Sequence, residues 1–160
     1  MTIIHPSFLK GNIQEFINES DQIQQAGFDL TVKSREMFQG NGRLTLNNSD
    51  RIIPNTIELP LESNFYNLQA GGYIVRYNEI VEIPSDAIAL VLPRSSLMRM
   101  GSSLHSAVWD PGYRGRGMAL LTVTHLLQIE KNSRIGQIIF IKLNKVASQY
   151  SGIYQDEGIE

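Results

Sequence analysis

The amino-acid sequence predicts an all-β domain, a sandwich or jelly roll, preceded by a short N-terminal helix. Three observations carry this. From Gly27 onward the apolar residues come in short runs with strand-like spacing. Polar turn clusters separate those runs, leaving no room for crossover helices. Two of the runs are apolar on both faces, as in strands covered from two sides. The 160 residues fit a single domain spanning 1–160, with a helical segment over 1–22 and a tail over 144–160.

In the helical segment Ser7 is the expected cap, and Phe8, Leu9, Ile13, Phe16 and Ile17 fall near helical spacing. Asn18-Glu19-Ser20-Asp21 reads as its stop. The expected strands are Leu30–Phe38, Tyr73–Tyr77, Glu79–Ile83, Ala87–Leu92, Met118–Thr124, Leu127–Ile129 and Ile135–Leu143. Gly40-Asn41-Gly42, Asn47-Asn48-Ser49-Asp50, Ala70-Gly71-Gly72 and Lys131-Asn132-Ser133 supply turns between them. In Ala87–Leu92, Ile88, Leu90 and Leu92 share one face while Ala87, Ala89 and Val91 share the other. Ile135–Leu143 sets Ile139, Ile141 and Leu143 against Ile138 and Phe140. Either another subunit or a long loop covers the second face of such strands.

Composition narrows the function. Hydrophobic residues make up 42% and charged residues 19%, enough for a real core. A net charge of −2 argues against a nucleic-acid partner. No apolar run reaches the roughly 18 residues of a membrane span, and residues 1–10 lack a secretory pattern. The expectation is a soluble, cytoplasmic protein. The absence of cysteine excludes disulfides, iron–sulfur centres and the thiolate-ligated zinc of nucleobase deaminases. His5, His105 and His125 are scattered singly.

Four segments stand out. Ala26-Gly27-Phe28-Asp29-Leu30 is a small-residue turn entering a strand, where Asp29 is equally at home as a turn residue. Pro93-Arg94-Ser95-Ser96-Leu97 sets a guanidinium beside two hydroxyls, a set that suits phosphate oxygens or simply caps a turn. Ala107 to Gly115 contains Asp110-Pro111-Gly112-Tyr113, good turn chemistry that also places a carboxylate and an aromatic on one pocket wall. Arg134-Ile135-Gly136-Gln137 opens the last strand with two side chains able to meet one anion.

In this order, from about Ala26 to Gln137, the segments resemble the deoxyuridine triphosphatase and dCTP deaminase superfamily. The resemblance implies a dUTPase-like jelly roll of the β-clip type, assembled as a homotrimer with sites shared between subunits. It implies Asp29 as the acid beside a magnesium–triphosphate complex, acting through water, and Arg94, Ser95, Ser96, Arg134 and Gln137 as phosphate-binding residues. By the same likeness Asp110 positions and deprotonates the attacking water. Tyr113 packs on deoxyribose, and the backbone of His105, Ser106, Ala107, Val108 and Trp109 reads the base.

Two branches compete. Ser95-Ser96-Leu97-Met98-Arg99, Asp110-Pro111-Gly112-Tyr113 and the tail Tyr150-Ser151-Gly152-Ile153-Tyr154-Gln155 resemble the deaminase branch, and that tail departs from the glycine-rich fifth motif of the triphosphatases. The deaminases, however, carry a glutamate at the position matched by Leu120 or Leu121, and Met118–Val123 holds no carboxylate. The expected activity is therefore that of the archaeal-type triphosphatase branch, hydrolysis of dUTP to dUMP and pyrophosphate with Mg²⁺. A dCTP deaminase, a bifunctional enzyme and a non-catalytic nucleotide-binding protein are the alternatives.

Overall fold

A computed structural model describes residues 2–146 and 148–159. In chain order its elements are β1 (Thr2–Ile3), β2 (Ile13–Gln14), α1 (Glu19–Gln22), β3 (Phe28–Gln39), β4 (Asn55–Glu58), β5 (Phe65–Leu68) and β6 (Gly71–Tyr77). Then come β7 (Ile80–Glu82), β8 (Ala87–Pro93), α2 (Ser95–Arg99), β9 (Ser102–His105), β10 (Arg114–Gly115), β11 (Met118–Val123), β12 (Leu127–Glu130) and β13 (Arg134–Lys142). The strand ladders are antiparallel. The main sheet runs β1-β13-β3-β6-β11-β9, with β4 added to β3 and β8 added to β13. Two smaller sheets, β10-β7-β2 and β12-β5, complete the all-β fold.

All seven expected strands are present, shifted at their ends by one or two residues in most cases. Burial alternates along them as a two-residue period requires: Phe28 and Leu30 of β3, Val75 and Tyr77 of β6, and Ile138 and Phe140 of β13 form the centre of the core. Strands β4, β5 and β9 were not legible. Each is four residues long, and β4 and β9 are largely polar, so pairing with β3, β12 and β11 respectively makes them strands.

The N-terminal helix is the expectation that fails. Residues 6–8 and 10–12 form separate 3₁₀ turns, β2 follows, and the only α-helical turn before β3 is α1, at the tetrapeptide read as a stop. The causes are local. Gly11 weakens the continuation of a helix, and Glu15 takes a left-handed conformation with φ 60°. Leu9 and Ile13 are buried, but Phe8 is 81% exposed, so the supposed apolar stripe never packs as one face.

The doubly apolar strands pair with each other. Leu92 faces Gln137, Leu90 faces Ile139, Ile88 faces Ile141, and Ile3 of β1 faces Ile141 from the other side. Opposed residues project to the same side. Ala87, Ala89 and Val91 point to the core, and the opposite face forms a continuous aliphatic patch, with Leu92 52% and Ile3 49% exposed.

A buried polar network anchors the start of β3. Glu79, wholly inaccessible, accepts hydrogen bonds from the Thr31 amide at 3.0 Å, the Thr31 hydroxyl at 2.6 Å and Gln22 Nε2 at 2.7 Å. Gln22 Nε2 also donates to the carbonyl of Asp29 at 2.9 Å. Just upstream, Gly27 lies so close to β13 that a β-carbon there would fall on the carbonyl oxygen of Ile138. Backbone cannot yield as a side chain can. Gly27→Ala is expected to destabilise the fold by about 1–3 kcal/mol, read as a lower urea midpoint at unchanged slope.

Candidate active site

Strand β13 pairs with β3 along one edge and β8 along the other, so three distant segments meet at one end of the sheet. Asp29 stands opposite Gln137 in the β3–β13 ladder. Pro93 stands opposite Gly136, which sets Arg94 just beyond the end of β8 beside Arg134. The Asp29 carboxylate is almost wholly buried. Its Oδ2 forms an ion pair with Arg94 Nε at 3.1 Å and receives Arg134 Nη1 at 3.3 Å, and its Oδ1 receives Gln137 Nε2 at 3.4 Å. Arg94 Nη1 also donates to the Arg134 carbonyl at 3.3 Å. Burial pushes the Asp29 carboxyl above its ordinary range, while both arginines and Gln137 pull it down. One acid between two permanent cations leaves a net positive cluster, with both guanidiniums about one-third exposed. Ser95 and Ser96 are exposed in the first turn of α2. Beside them a recess of about 190 Å³ is bordered by Ser96, Arg134 and β12. The arrangement can take the oxygens of a polyanion.

A second, larger cavity of about 360 Å³ lies elsewhere. Ala107, Val108, Trp109, Asp110 and Tyr113 form one wall, and Tyr150, Tyr154 and Glu157 of the tail form the facing one. The turn Asp110-Pro111-Gly112-Tyr113 closes with the Tyr113 amide donating to the Asp110 carbonyl at 3.1 Å. Gly112 takes φ 78°, the value the third residue of a type II turn needs. The Asp110 side chain is exposed at the cavity and makes no hydrogen bond to another described residue, so its carboxylate is free to hold a water. Tyr113 is buried edge-on between Trp109, with ring centroids 5.3 Å apart, and Tyr150, at 5.7 Å. Its hydroxyl donates to Glu157 Oε1 at 2.8 Å. Burial first, then the Glu157 carboxylate, raises the pKa of the phenol far above the usual value.

The structure thus groups the sequence-derived candidates in two sets and keeps the sets apart within one chain. Trp109 bridges to Ala89 through both backbone groups, at 3.0 Å each way. Arg94 follows Ala89 by five residues, a separation of roughly 17 Å at the rise of a strand, and Asp110 runs off in the opposite direction. The backbone N–H and C=O of Trp109 pair with Ala89, while its side chain lines the cavity. Ser106 turns inward too, accepting from Trp109 Nε1 at 3.0 Å and donating to the Ala107 carbonyl at 2.7 Å. His105 ends β9 opposite Leu120.

Glu157, Tyr150 and Ile53, which also borders the cavity, were not found from the sequence as site residues. The two tail tyrosines were noticed only as part of a resemblance, and nothing in the spacing marks Glu157. No group of three or more His, Asp or Glu side chains is placed to hold a metal ion among the described residues. Asp29 accepts two hydrogen bonds, from Arg134 and Gln137, against the roughly four acceptor sites of a carboxylate. The described residues build no metal cage of their own. They do fit a cation carried in on an anion, to which they offer the arginine pair and a remaining acceptor site of Asp29.

An antiparallel β fold carrying a basic cluster, and apart from it an aromatic cavity with a carboxylate, places this chain among nucleotide-handling jelly rolls. It belongs to the dCTP deaminase-like family, whose model matches residues 5–143. The chain is 40% identical over 149 residues to the probable deoxyuridine 5′-triphosphate nucleotidohydrolase of Methanosarcina acetivorans, covering 91% of this chain and 87% of that protein. It is 40% identical over 139 residues to the deoxyuridine 5′-triphosphate nucleotidohydrolase of Methanocaldococcus jannaschii, covering 86% and 89%. Among solved structures, the dCTP deaminase of Agrobacterium tumefaciens superposes with a TM-score of 0.61 at 22% identity, over 86% of this chain; the match spans about half of that one, 47%. The dUTPase of EIAV superposes with a TM-score of 0.53 at 15% identity, covering 89% and 92%.

The basic cluster makes its own prediction. In Asp29→Asn the two guanidiniums lose their shared counter-charge, and the melting temperature is expected to fall. Inorganic triphosphate without metal should then raise the melting temperature of the variant more than that of the parent, since an anion restores what the carboxylate supplied.

Proposed function

We propose that this protein hydrolyses dUTP to dUMP and pyrophosphate. The observation that carries the reading is on β11. The position matched to the deaminases' proton-shuttling glutamate is Leu120, level with His105, or Leu121, which is fully buried. Without an acid–base group there, C4 deamination forfeits roughly 10²–10⁴-fold in rate. Glu130, the next acid along, lies on β12 in a separate sheet, accepts from Asn64 Nδ2 at 3.0 Å and borders the recess beside Arg134, not the aromatic cavity. The archaeal relatives, named for dUTP hydrolysis and matching about nine-tenths of the chain, support the same reading.

In this reading the nucleoside occupies the aromatic cavity, Tyr113 against the deoxyribose and residues 105–109 beside the base. Asp110 accepts the proton of the attacking water, and pyrophosphate leaves. Arg94, Arg134, Gln137 and the Ser95 and Ser96 hydroxyls bind the phosphates and stabilise the charge that develops on the leaving group. Asp29 would hold, through water, a magnesium ion brought on the triphosphate, and that ion would supply neutralisation of phosphate charge.

The two residue sets stand apart in one chain, and in this reading the cavity of one subunit meets the arginine pair of another. The aliphatic patch of Ile3, Ile88, Leu90, Leu92, Ile139 and Ile141 is a surface that association would cover. A homotrimer is the proposed assembly.

Incubation with each deoxynucleoside triphosphate and magnesium, with products resolved by chromatography, tests the activity. dUMP and pyrophosphate are expected from dUTP, and release of ammonia from dCTP at a comparable rate would make the chain a deaminase. Asp110→Asn is expected to lower turnover at least about 10²-fold while nucleotide binding survives. Co-refolding inactive Asp110→Asn with inactive Arg94→Ala should recover activity, up to roughly a quarter of the parent's, because mixed trimers contain sites with both intact residues. No recovery, despite mixed oligomers on native mass spectrometry, would place both residues in one subunit's site.

A further inference from the structure

The tail is fastened to the Asp110–Tyr113 turn and to β10 at several points. The Tyr150 amide donates to the Pro111 carbonyl at 2.7 Å, and Gln155 Nε2 donates to the Gly112 carbonyl at 3.1 Å. Arg114 pairs with Asp156 at 2.7 Å, and the Arg116 amide donates to the Glu157 carbonyl at 2.9 Å. This seam delivers one carboxylate, Glu157, to the hydroxyl of Tyr113. Room for the phenol head is built in, since a β-carbon on Gly115 would lie 2.6 Å from the Tyr113 oxygen. Trp109 and Tyr150 hold the ring by its edges, which restrains its tilt but supplies no polar tie. The bond to Glu157 is the hydroxyl's single hydrogen bond among the described residues.

We propose that Glu157 is a positioning residue for sugar selection: it holds the Tyr113 ring in the one orientation that admits deoxyribose and excludes a 2′-hydroxyl. This rests on the reading of Tyr113 as the surface against the sugar. A ring edge that can swing yields to an added hydroxyl, whereas one pinned at its far end cannot, so discrimination depends on the pin as well as on the ring. Removing the pin is expected to weaken rejection of the ribonucleotide more than it weakens turnover of the deoxynucleotide.

The test is a double-mutant cycle on the ratio of kcat/KM for dUTP to that for UTP, with KM and kcat followed separately. Tyr113→Phe removes the donor and Glu157→Ala the acceptor; Glu157→Gln keeps an acceptor oxygen. The backbone seam and the Arg114–Asp156 pair remain in all three. Tyr113→Phe and Glu157→Ala are each expected to narrow the ratio about tenfold, as loss of a hydrogen bond to a charged group predicts. The double variant should narrow it no further, and the change should lie mainly in the KM for UTP. Glu157→Gln should keep most of the parent's discrimination. Tyr113→Ala separates the two layers of the argument. A ratio unchanged in that variant removes the sugar contact itself, and with it the proposal. A ratio that narrows in Tyr113→Ala, but is intact in Glu157→Ala or falls multiplicatively in the double variant, overturns the positioning role alone.

Discussion

Strand β13 lies between β3 and β8, and the rest of the molecule is arranged around that double ladder. The ladder buries Phe28, Ile138 and Phe140 in the core and sets Arg94, Arg134 and Gln137 around one carboxylate, Asp29. None of the four polar side chains comes from the same strand end by sequence proximity, apart from Arg134 and Gln137. Their meeting is a property of register, and a slip of one residue would turn Gln137 away from Asp29 and Ile138 out of the core together. Core packing and the cluster around Asp29 are therefore specified by the same hydrogen bonds.

The ladder also explains why the chain looks unfinished alone. A strand in the middle of a sheet has two faces, and the core covers only one of those of β8 and β13. The other face presents half-buried and exposed aliphatic side chains. The basic cluster at one end of β8 and the aromatic cavity reached through the Ala89–Trp109 bridge are, in the proposed reaction, likewise two halves that one subunit holds apart. In the proposed trimer, association would join them and bury the patch at the same time, so stability and function would favour the same assembly.

Much of this was legible in the residues. Period-two patterns located seven of the strands because a buried face must recur at every second position, whatever the partner. The motif residues were legible because their chemistry is concentrated: guanidinium, hydroxyls and carboxylates in short runs beside turn-forming glycines. The N-terminal helix was misread because spacing alone cannot report that Gly11 and the left-handed Glu15 interrupt it. Strands such as Ser102–His105 exist only by their ladders. The pairing of Trp109 with Ala89 was not legible because it spans twenty residues and leaves no local trace. Glu157 was invisible for a similar reason, being 44 positions from the hydroxyl it receives.

The separation of Asp29 from Gln137, 108 residues, has a kinetic consequence. Contacts so far apart in the chain form slowly, because the entropy of closing the intervening segment is lost before any pairing energy returns. During synthesis β3 and β8 leave the ribosome long before β13 exists, each with an unpaired edge and an aliphatic face in water. Those edges are competent to pair with the wrong strand, in the same chain or another, for as long as the wait lasts. The last long strand to be made thus closes both hazards in one event, and the window of vulnerability to aggregation is set by the speed of translation between residues 93 and 142.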